Sequence, residues 1–315
     1  MKIVFMGTPA FAVHILDAII KDAANEVLSV ITAPDKPAGR GQHLHESEVK
    51  KYALANDLPL LQPSNLKDLG FQTELAALKA DLFVVVAFRM LPEAVWAMPP
   101  KGTINLHASL LPNYRGAAPI NWAVINGEQK TGVSTFFIEK EIDTGKVIEQ
   151  ATIEIGVNDT AGEVHDRLME LGGEVTVSTI HKIASGDVAG IAQNEMLNVN
   201  LKLAPKIFRT DCKIDWSKSV RDVHNHIRGL SPYPAPWTLM VNQHGEEKVF
   251  KIGATEITDI PIINSFEVTK NADGLLFPSG DYYILVKNIQ PEGKRMMDYK
   301  AFLAGNKLED WKLVL

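Results

Sequence analysis

One cysteine stands in a chain of 315 residues. Cys212 has no partner within the chain, which excludes an intrachain disulfide framework and a cysteine-rich zinc site. A reducing, cytoplasmic setting is the expectation that follows. Long apolar runs are also missing, since none reaches the roughly 18–20 residues of a membrane span. The N-terminal run Lys2-Ile3-Val4-Phe5-Met6 is stopped by Gly7-Thr8-Pro9, too early for a secretion signal. Charge of one sign is scarce: the net charge is −6, and 22% of residues are charged. Residues 206–315 hold 15 basic and 14 acidic side chains, against 17 and 24 in the remainder. The C-terminal third is the less acidic part without being a strong polyanion-binding surface, so any RNA binding must come from local patches. Two of the three glycines of a dinucleotide-binding turn are absent, because the first strand is followed by Gly7-Thr8-Pro9-Ala10-Phe11-Ala12. That argues against NAD and for a tight turn with Pro near the start of a helix. There is no internal repeat.

What is present is an ordinary apolar share, 46%, in a chain long enough for two domains. Lys2–Met6, Val27–Thr32, Leu82–Ala87 and Thr103–His107 read as buried strands. Phe11–Lys21, Glu48–Asn56, Gln72–Lys79 and Glu93–Met98 read as the helices between them. This alternation predicts an α/β, doubly wound, mainly parallel sheet. Val133–Ile138 and Lys146–Ile153 add two strands around a turn. Thr160-Ala161-Gly162-Glu163 is a capping box that opens a helix running to about Ser185. Periodicity is lost from about Val188 to Ala204, which reads as a connector. A capped helix follows from Ser219 to about Gly229, and short strands after Trp237 suggest a small β-barrel. The expected division is 1–187, a connector at 188–205, and 206–315.

The most informative stretch runs Asn105-Leu106-His107-Ala108-Ser109-Leu110-Leu111-Pro112-Asn113-Tyr114-Arg115-Gly116. On a strand, positions i and i+2 share a face, so Asn105 and His107 can address one reacting group together. Histidine can take up and release a proton at physiological pH. An amide beside it can stabilise a developing oxyanion. The pair sits at the C-terminal end of a strand, where open α/β sheets place their ligand crevice. Acyl transfer to an amine suits it better than hydride or phosphoryl transfer. Asp143, in Glu141-Ile142-Asp143-Thr144-Gly145, reads equally as an Asx turn and as a partner that supports His107.

Arg40 lies in the glycine-flanked run Ala38-Gly39-Arg40-Gly41-Gln42-His43 of a long loop. It reads equally as solvated or as a phosphate or carboxylate contact. His43 and His45, like His224 and His226, form His-x-His pairs without a zinc ligand set, and read as surface or helix histidines. Trp216, Trp237 and Trp311 read as core or interdomain residues.

Taken together, the chain resembles the 10-formyltetrahydrofolate-dependent formyltransferase family over nearly its whole length. The residues that carry the likeness are Phe5-Met6-Gly7-Thr8-Pro9, Pro34-Asp35-Lys36-Pro37-Ala38-Gly39-Arg40-Gly41, Asn105-Leu106-His107, Ser109–Gly116, Asp143-Thr144-Gly145 and Ile214-Asp215-Trp216. The Arg40 loop and the C-terminal part narrow it to the branch that acts on tRNA. The resemblance implies a Rossmann-like catalytic domain and an OB-like C-terminal barrel that helps to hold tRNA. It implies Asn105, His107 and Asp143 as the catalytic trio. Ser109, Leu110, Leu111 and Pro112 would line the folate site, and Arg40 would meet the acceptor end of tRNA. The implied reaction moves a formyl group from 10-formyltetrahydrofolate to the amine of methionyl initiator tRNA, without a metal, in a monomer that binds no membrane. The chain departs from the family at Ala87-Phe88-Arg89-Met90-Leu91-Pro92, where a Tyr-Gly pair and a longer loop are usual. It departs again at Gln42 and His43, where lysines are common. The rival readings are an amino-sugar formyltransferase, a formyl-folate hydrolase using the same trio, and a non-catalytic RNA-binding module. No clear basic and aromatic stripe supports the last of these.

Overall fold

Strands and helices alternate along the first half as the apolar pattern predicts, and the computed structural model shows how they are ordered. It describes residues 1–38, 43–186, 188–196, 201–262 and 267–314. The chain divides into two compact units. One comprises Met1–Gly116, Gly132–Ile153 and Asp166–Leu203, and the other Ala117–Thr131, Glu154–His165 and Ala204–Leu315.

The first unit is built on a seven-stranded sheet. Its order is Val147–Glu154, Lys130–Phe137, Thr103–His107, Leu82–Val86, Lys2–Gly7, Glu26–Ile31 and Leu60–Leu61. The five strands from Thr103–His107 to Leu60–Leu61 run parallel. Lys130–Phe137 pairs antiparallel with Thr103–His107. Chain order reverses on either side of Lys2–Gly7, the switch point at which such sheets open a crevice beyond their C-terminal strand ends. Gly7 pairs with Val86, and Val86 with Leu106, so these strand ends share one edge with His107.

The helix Ala10–Lys21 forms because Phe11, Ala12, Ile15, Leu16 and Ile19 recur at helical spacing and are buried. Pro9 is its cap residue, and the Gly7-Thr8-Pro9 turn is as tight as expected. A Cβ on Gly7 would lie 2.6 Å from the Ala12 Cβ, so only glycine admits this approach. The long loop after Glu26–Ile31 carries a short hairpin, with Lys36–Ala38 paired to His43–His45. Lys50 closes its base by ion pairs to Asp35 and, at 2.7 Å, to Glu46. Arg40 itself lies outside the described residues.

In the second unit a five-stranded and a four-stranded sheet of antiparallel strands share one core. Trp216 anchors it, stacked on Phe277 at 5.1 Å and donating its indole N–H to Thr238 at 2.9 Å. The helix Val220–Gly229 packs on this core, capped by the Ser219 hydroxyl, which accepts from the Asp222 N–H at 3.2 Å. The Thr160–Glu163 capping box also forms, with the Thr160 N–H donating to the Glu163 carboxylate at 2.7 Å. Asn121 donates to the Gly229 carbonyl at 2.8 Å, and Arg228 to the Asp159 carbonyl at 2.9 Å. The segments around residues 121 and 159 thus belong with the C-terminal strands. Among the described residues, no helix is long and apolar enough to cross a membrane.

Candidate active site

The strand Thr103–His107 brings Asn105 and His107 to one face near its C-terminal end. Asn105 is half-buried, and its carboxamide makes no hydrogen bond among the described residues. His107 is 7% exposed. Its Nε2–H donates to the Tyr114 carbonyl at 2.8 Å, so a backbone group fixes the ring. That leaves Nδ1 as the nitrogen facing Asp143, with Oδ2 at 3.9 Å. The gap is wider than a hydrogen bond. Asp143 Oδ2 is itself held by the Gly116 N–H at 3.1 Å.

Two backbone distortions frame this arrangement. Tyr114 has φ +61° and Asp143 has φ +57°, the left-handed region that non-glycine residues rarely adopt. Such outliers persist where the surroundings over-determine them, often at functional sites. Asp143 occupies its turn because Gly145 follows. A Cβ at position 145 would lie 1.7 Å from the Phe137 carbonyl oxygen.

Ser109, Leu110, Leu111 and Pro112 form a braced loop beside the pair. The Ser109 hydroxyl donates to the Asn113 carbonyl at 2.7 Å, and the Ser109 carbonyl accepts from Ser134 at 2.6 Å. Leu111 is buried with Phe136 and Val147, and its carbonyl accepts from Gln150 at 2.9 Å. Near the strand Leu82–Val86, Ala87 also has a positive φ, +46°. Arg89 donates to the carbonyls of Pro63 and, at 3.0 Å, Ser64. Burial lowers the pKa of Arg89.

Sequence reasoning did not find Gln193, 3% exposed, in the aperiodic stretch. Its Nε2 donates to the carbonyls of Asp143, at 2.9 Å, and Gly145, at 2.8 Å. Nor did it find a cavity of about 440 Å³ in the second unit, lined by Phe208, Arg209, Tyr233, Trp237, Val249 and Lys251 among others. These residues are too scattered in sequence to read as a stripe. Tyr233 is 81% exposed, and the Arg209 guanidinium lies 6.0 Å from the centre of the Trp237 ring. His224 and His226 lie on the helix Val220–Gly229. Among the described residues, no cluster of three His, Cys, Asp or Glu is placed to hold a metal ion.

Residues 1–180 match the family model described as formyl transferase, and residues 206–307 the one described as formyl transferase, C-terminal domain. A methionyl-tRNA formyltransferase of Azobacteroides pseudotrichonymphae is 51% identical over 97% of this chain and 96% of its own. One of Flavobacterium johnsoniae is 50% identical over 98% of each. Among solved structures, the N-formyltransferase of Helicobacter canadensis in complex with folinic acid and dTDP-3-aminofucose superposes with a TM-score of 0.66. It is 22% identical over 91% of this chain and 98% of its own, which shows a shared fold.

Proposed function

The chain belongs to the formyl transferase family, and we propose that it moves the formyl group of 10-formyltetrahydrofolate to the amine of methionyl initiator tRNA. The observation that carries the chemistry is Asn105 and His107 on one strand face, the Asn105 amide unpaired among the described residues, with Asp143 3.9 Å from the imidazole. The donor brings a formyl group bound to nitrogen. Attack by a neutral amine builds negative charge on the formyl oxygen and releases a proton from the attacking nitrogen. Asn105 and protonated His107 serve that oxygen as hydrogen-bond donors, His107 through Nδ1–H, because its Nε2–H is taken by the Tyr114 carbonyl. Asp143 supports the charge on His107. Its Oδ2 is held by Gly116, so Oδ1 is the atom assigned to receive the proton and to pass it to N10 of the folate as the formyl C–N10 bond breaks and tetrahydrofolate leaves. The loop of Ser109, Leu110, Leu111 and Pro112 forms a wall of the folate site. No metal and no covalent intermediate on the protein is required, and one chain supplies the whole trio, so a monomer suffices. The setting is the cytoplasm, where initiator tRNA is used.

The first unit carries the chemistry and the second, which includes 206–315, holds tRNA. The aromatic and cationic cavity of the second unit supports an RNA role, because rings beside cations suit stacked bases and phosphates. Arg40 meets the acceptor end.

The test is formyl transfer from 10-formyltetrahydrofolate to three acceptors: methionyl initiator tRNA, methionyl elongator tRNA and a nucleotide-linked amino sugar. Selective formylation of the initiator is expected, with affinity that falls steeply with salt. Arg40→Ala should chiefly impair use of charged tRNA. Transfer to the sugar alone would overturn the tRNA assignment while leaving the trio in place.

A further inference from the structure

We infer that Gln193 is a positioning residue for formyl transfer, clamping the Asp143 turn to the loop that fixes His107. The inference rests on the reading just given and assigns a role to a residue in the stretch that joins the two family matches.

Glutamine offers two amide hydrogens and two lone pairs, and Gln193 uses all four. Its Nε2 donates to the Asp143 and Gly145 carbonyls at 2.9 and 2.8 Å. Its Oε1 accepts from Arg115 twice, from Nε at 2.9 Å and from Nη2 at 2.6 Å. Arg115 lies between the two residues whose backbones hold the trio, since the Tyr114 carbonyl fixes His107 and the Gly116 N–H holds Asp143. Both connected segments contain left-handed non-glycine residues, Tyr114 and Asp143. A left-handed non-glycine residue needs outside bonds to persist, and Gln193 supplies two of them to the Asp143 turn.

The clamp is itself anchored. Ile191 exchanges both backbone hydrogen bonds with Val147, at 2.7 and 2.9 Å, which fixes the chain to the sheet edge two residues before Gln193. The residue is 3% exposed, so water cannot readily replace the bonds it makes. Without the amide, the Asp143 turn loses its two bonds to Gln193 and keeps the Gly116 N–H bond. The separation of 3.9 Å between His107 and Asp143 then loses its brace. Gln193 reaches neither trio side chain in these bonds, so its effect passes through position.

The experiment compares wild type, Gln193→Leu, Asp143→Asn and the double variant in steady-state formyl transfer, with thermal melts of each. Gln193→Leu keeps the size and loses all four bonds. A displacement of about 1 Å can lower turnover about 100-fold, so a 10- to 100-fold fall in kcat is expected with KM for tRNA and folate within about twofold. In the Asp143→Asn background the same change should cost less than about threefold, because its effect passes through Asp143. An unchanged kcat in the single variant overturns the inference. So does a full, multiplicative loss in the double variant, which would mean a general structural role. If Gln193→Leu melts well below wild type, Gln193→Glu takes its place. It keeps the acceptor for Arg115 and loses the donors to the turn. A wild type that formylates no tRNA would sink the proposed function rather than the clamp.

Discussion

Adding a single methyl group at Gly145 should disable transfer far more than it destabilises the protein. The Cβ of alanine would lie 1.7 Å from the Phe137 carbonyl oxygen and 2.9 Å from its carbon. Real Cβ atoms stay at least about 3.0 Å from such neighbours, so the two backbones must part by about 1.3 Å. Phe137 cannot easily be the one that moves. It ends a strand whose residues Ser134, Thr135, Phe136 and Phe137 are in register with His107, Leu106, Asn105 and Ile104. The exposed turn around residues 139–142 is the softer side, and Asp143 moves with it. Displacing a catalytic group by about 1 Å can cost about 100-fold in rate, or about 2.7 kcal/mol of barrier. The stability loss should stay near 1–2 kcal/mol, within the usual range for one substitution. Initial rates of formyl transfer to methionyl-tRNA, read beside a thermal melt, make the comparison. A Gly145→Ala variant that folds and works within about threefold of wild type would refute the reasoning. The turn would then tolerate displacement, and Asp143 would lose the role assigned to it.

His107→Ala should lower kcat by about 100- to 10,000-fold, the span of general acid–base contributions, and leave tRNA binding by filter assay nearly unchanged. Turnover equal to wild type would remove His107 from the mechanism. A second expectation concerns acid. Burial above all lowers the pKa values of His224 and His226 below 6.5, with Arg228 and Lys218 adding to the effect and Glu256 and Asp215 opposing it. Above pH 6.5 both residues are neutral in the folded and the unfolded chain. As the pH falls through 6.5, the unfolded chain takes up protons that the folded one refuses, so stability drops. The slope is at most about 1.4 kcal/mol per pH unit for each histidine. Denaturant melts of the full chain at pH 7.5 and 5.5 should show the loss, and a variant carrying His224→Gln should show less of it. Equal stability at both pH values would count against buried neutral histidines.

The parallel strands were legible because their signal is local. Val84, Val85 and Val86 sit in an unbroken apolar run, and Asn105 and His107 stand out against one. Asp143 was half-legible, since the sequence shows a turn aspartate and only the fold brings Gly116 and His107 beside it. The groups that hold His107 and Asp143 were not legible at all. The Tyr114 carbonyl and the Gly116 N–H are backbone atoms, which every residue possesses. Gln193 stands in a stretch with no periodicity, and its partners are Arg115 and the carbonyls of residues 143 and 145. The hairpin at the base of the Arg40 loop escaped notice because three-residue strands are too short to show alternation.

The second compact unit draws on Ala117–Thr131 and Glu154–His165 as well as Ala204–Leu315. The polypeptide is therefore woven, and no single peptide bond separates what packs together. Removing everything after residue 205 would strip Asn121 of the Gly229 carbonyl, and the Asp159 carbonyl of Arg228. A chimera that borrowed only the C-terminal third of a relative would join pieces of one compact unit from different lineages. A graft of the second unit must carry the helix Pro119–Ile125 and the segment that opens the helix Ala161–Ser185 along with the C-terminal strands. Inheritance imposes the same condition on natural recombination: these three stretches have to travel as one.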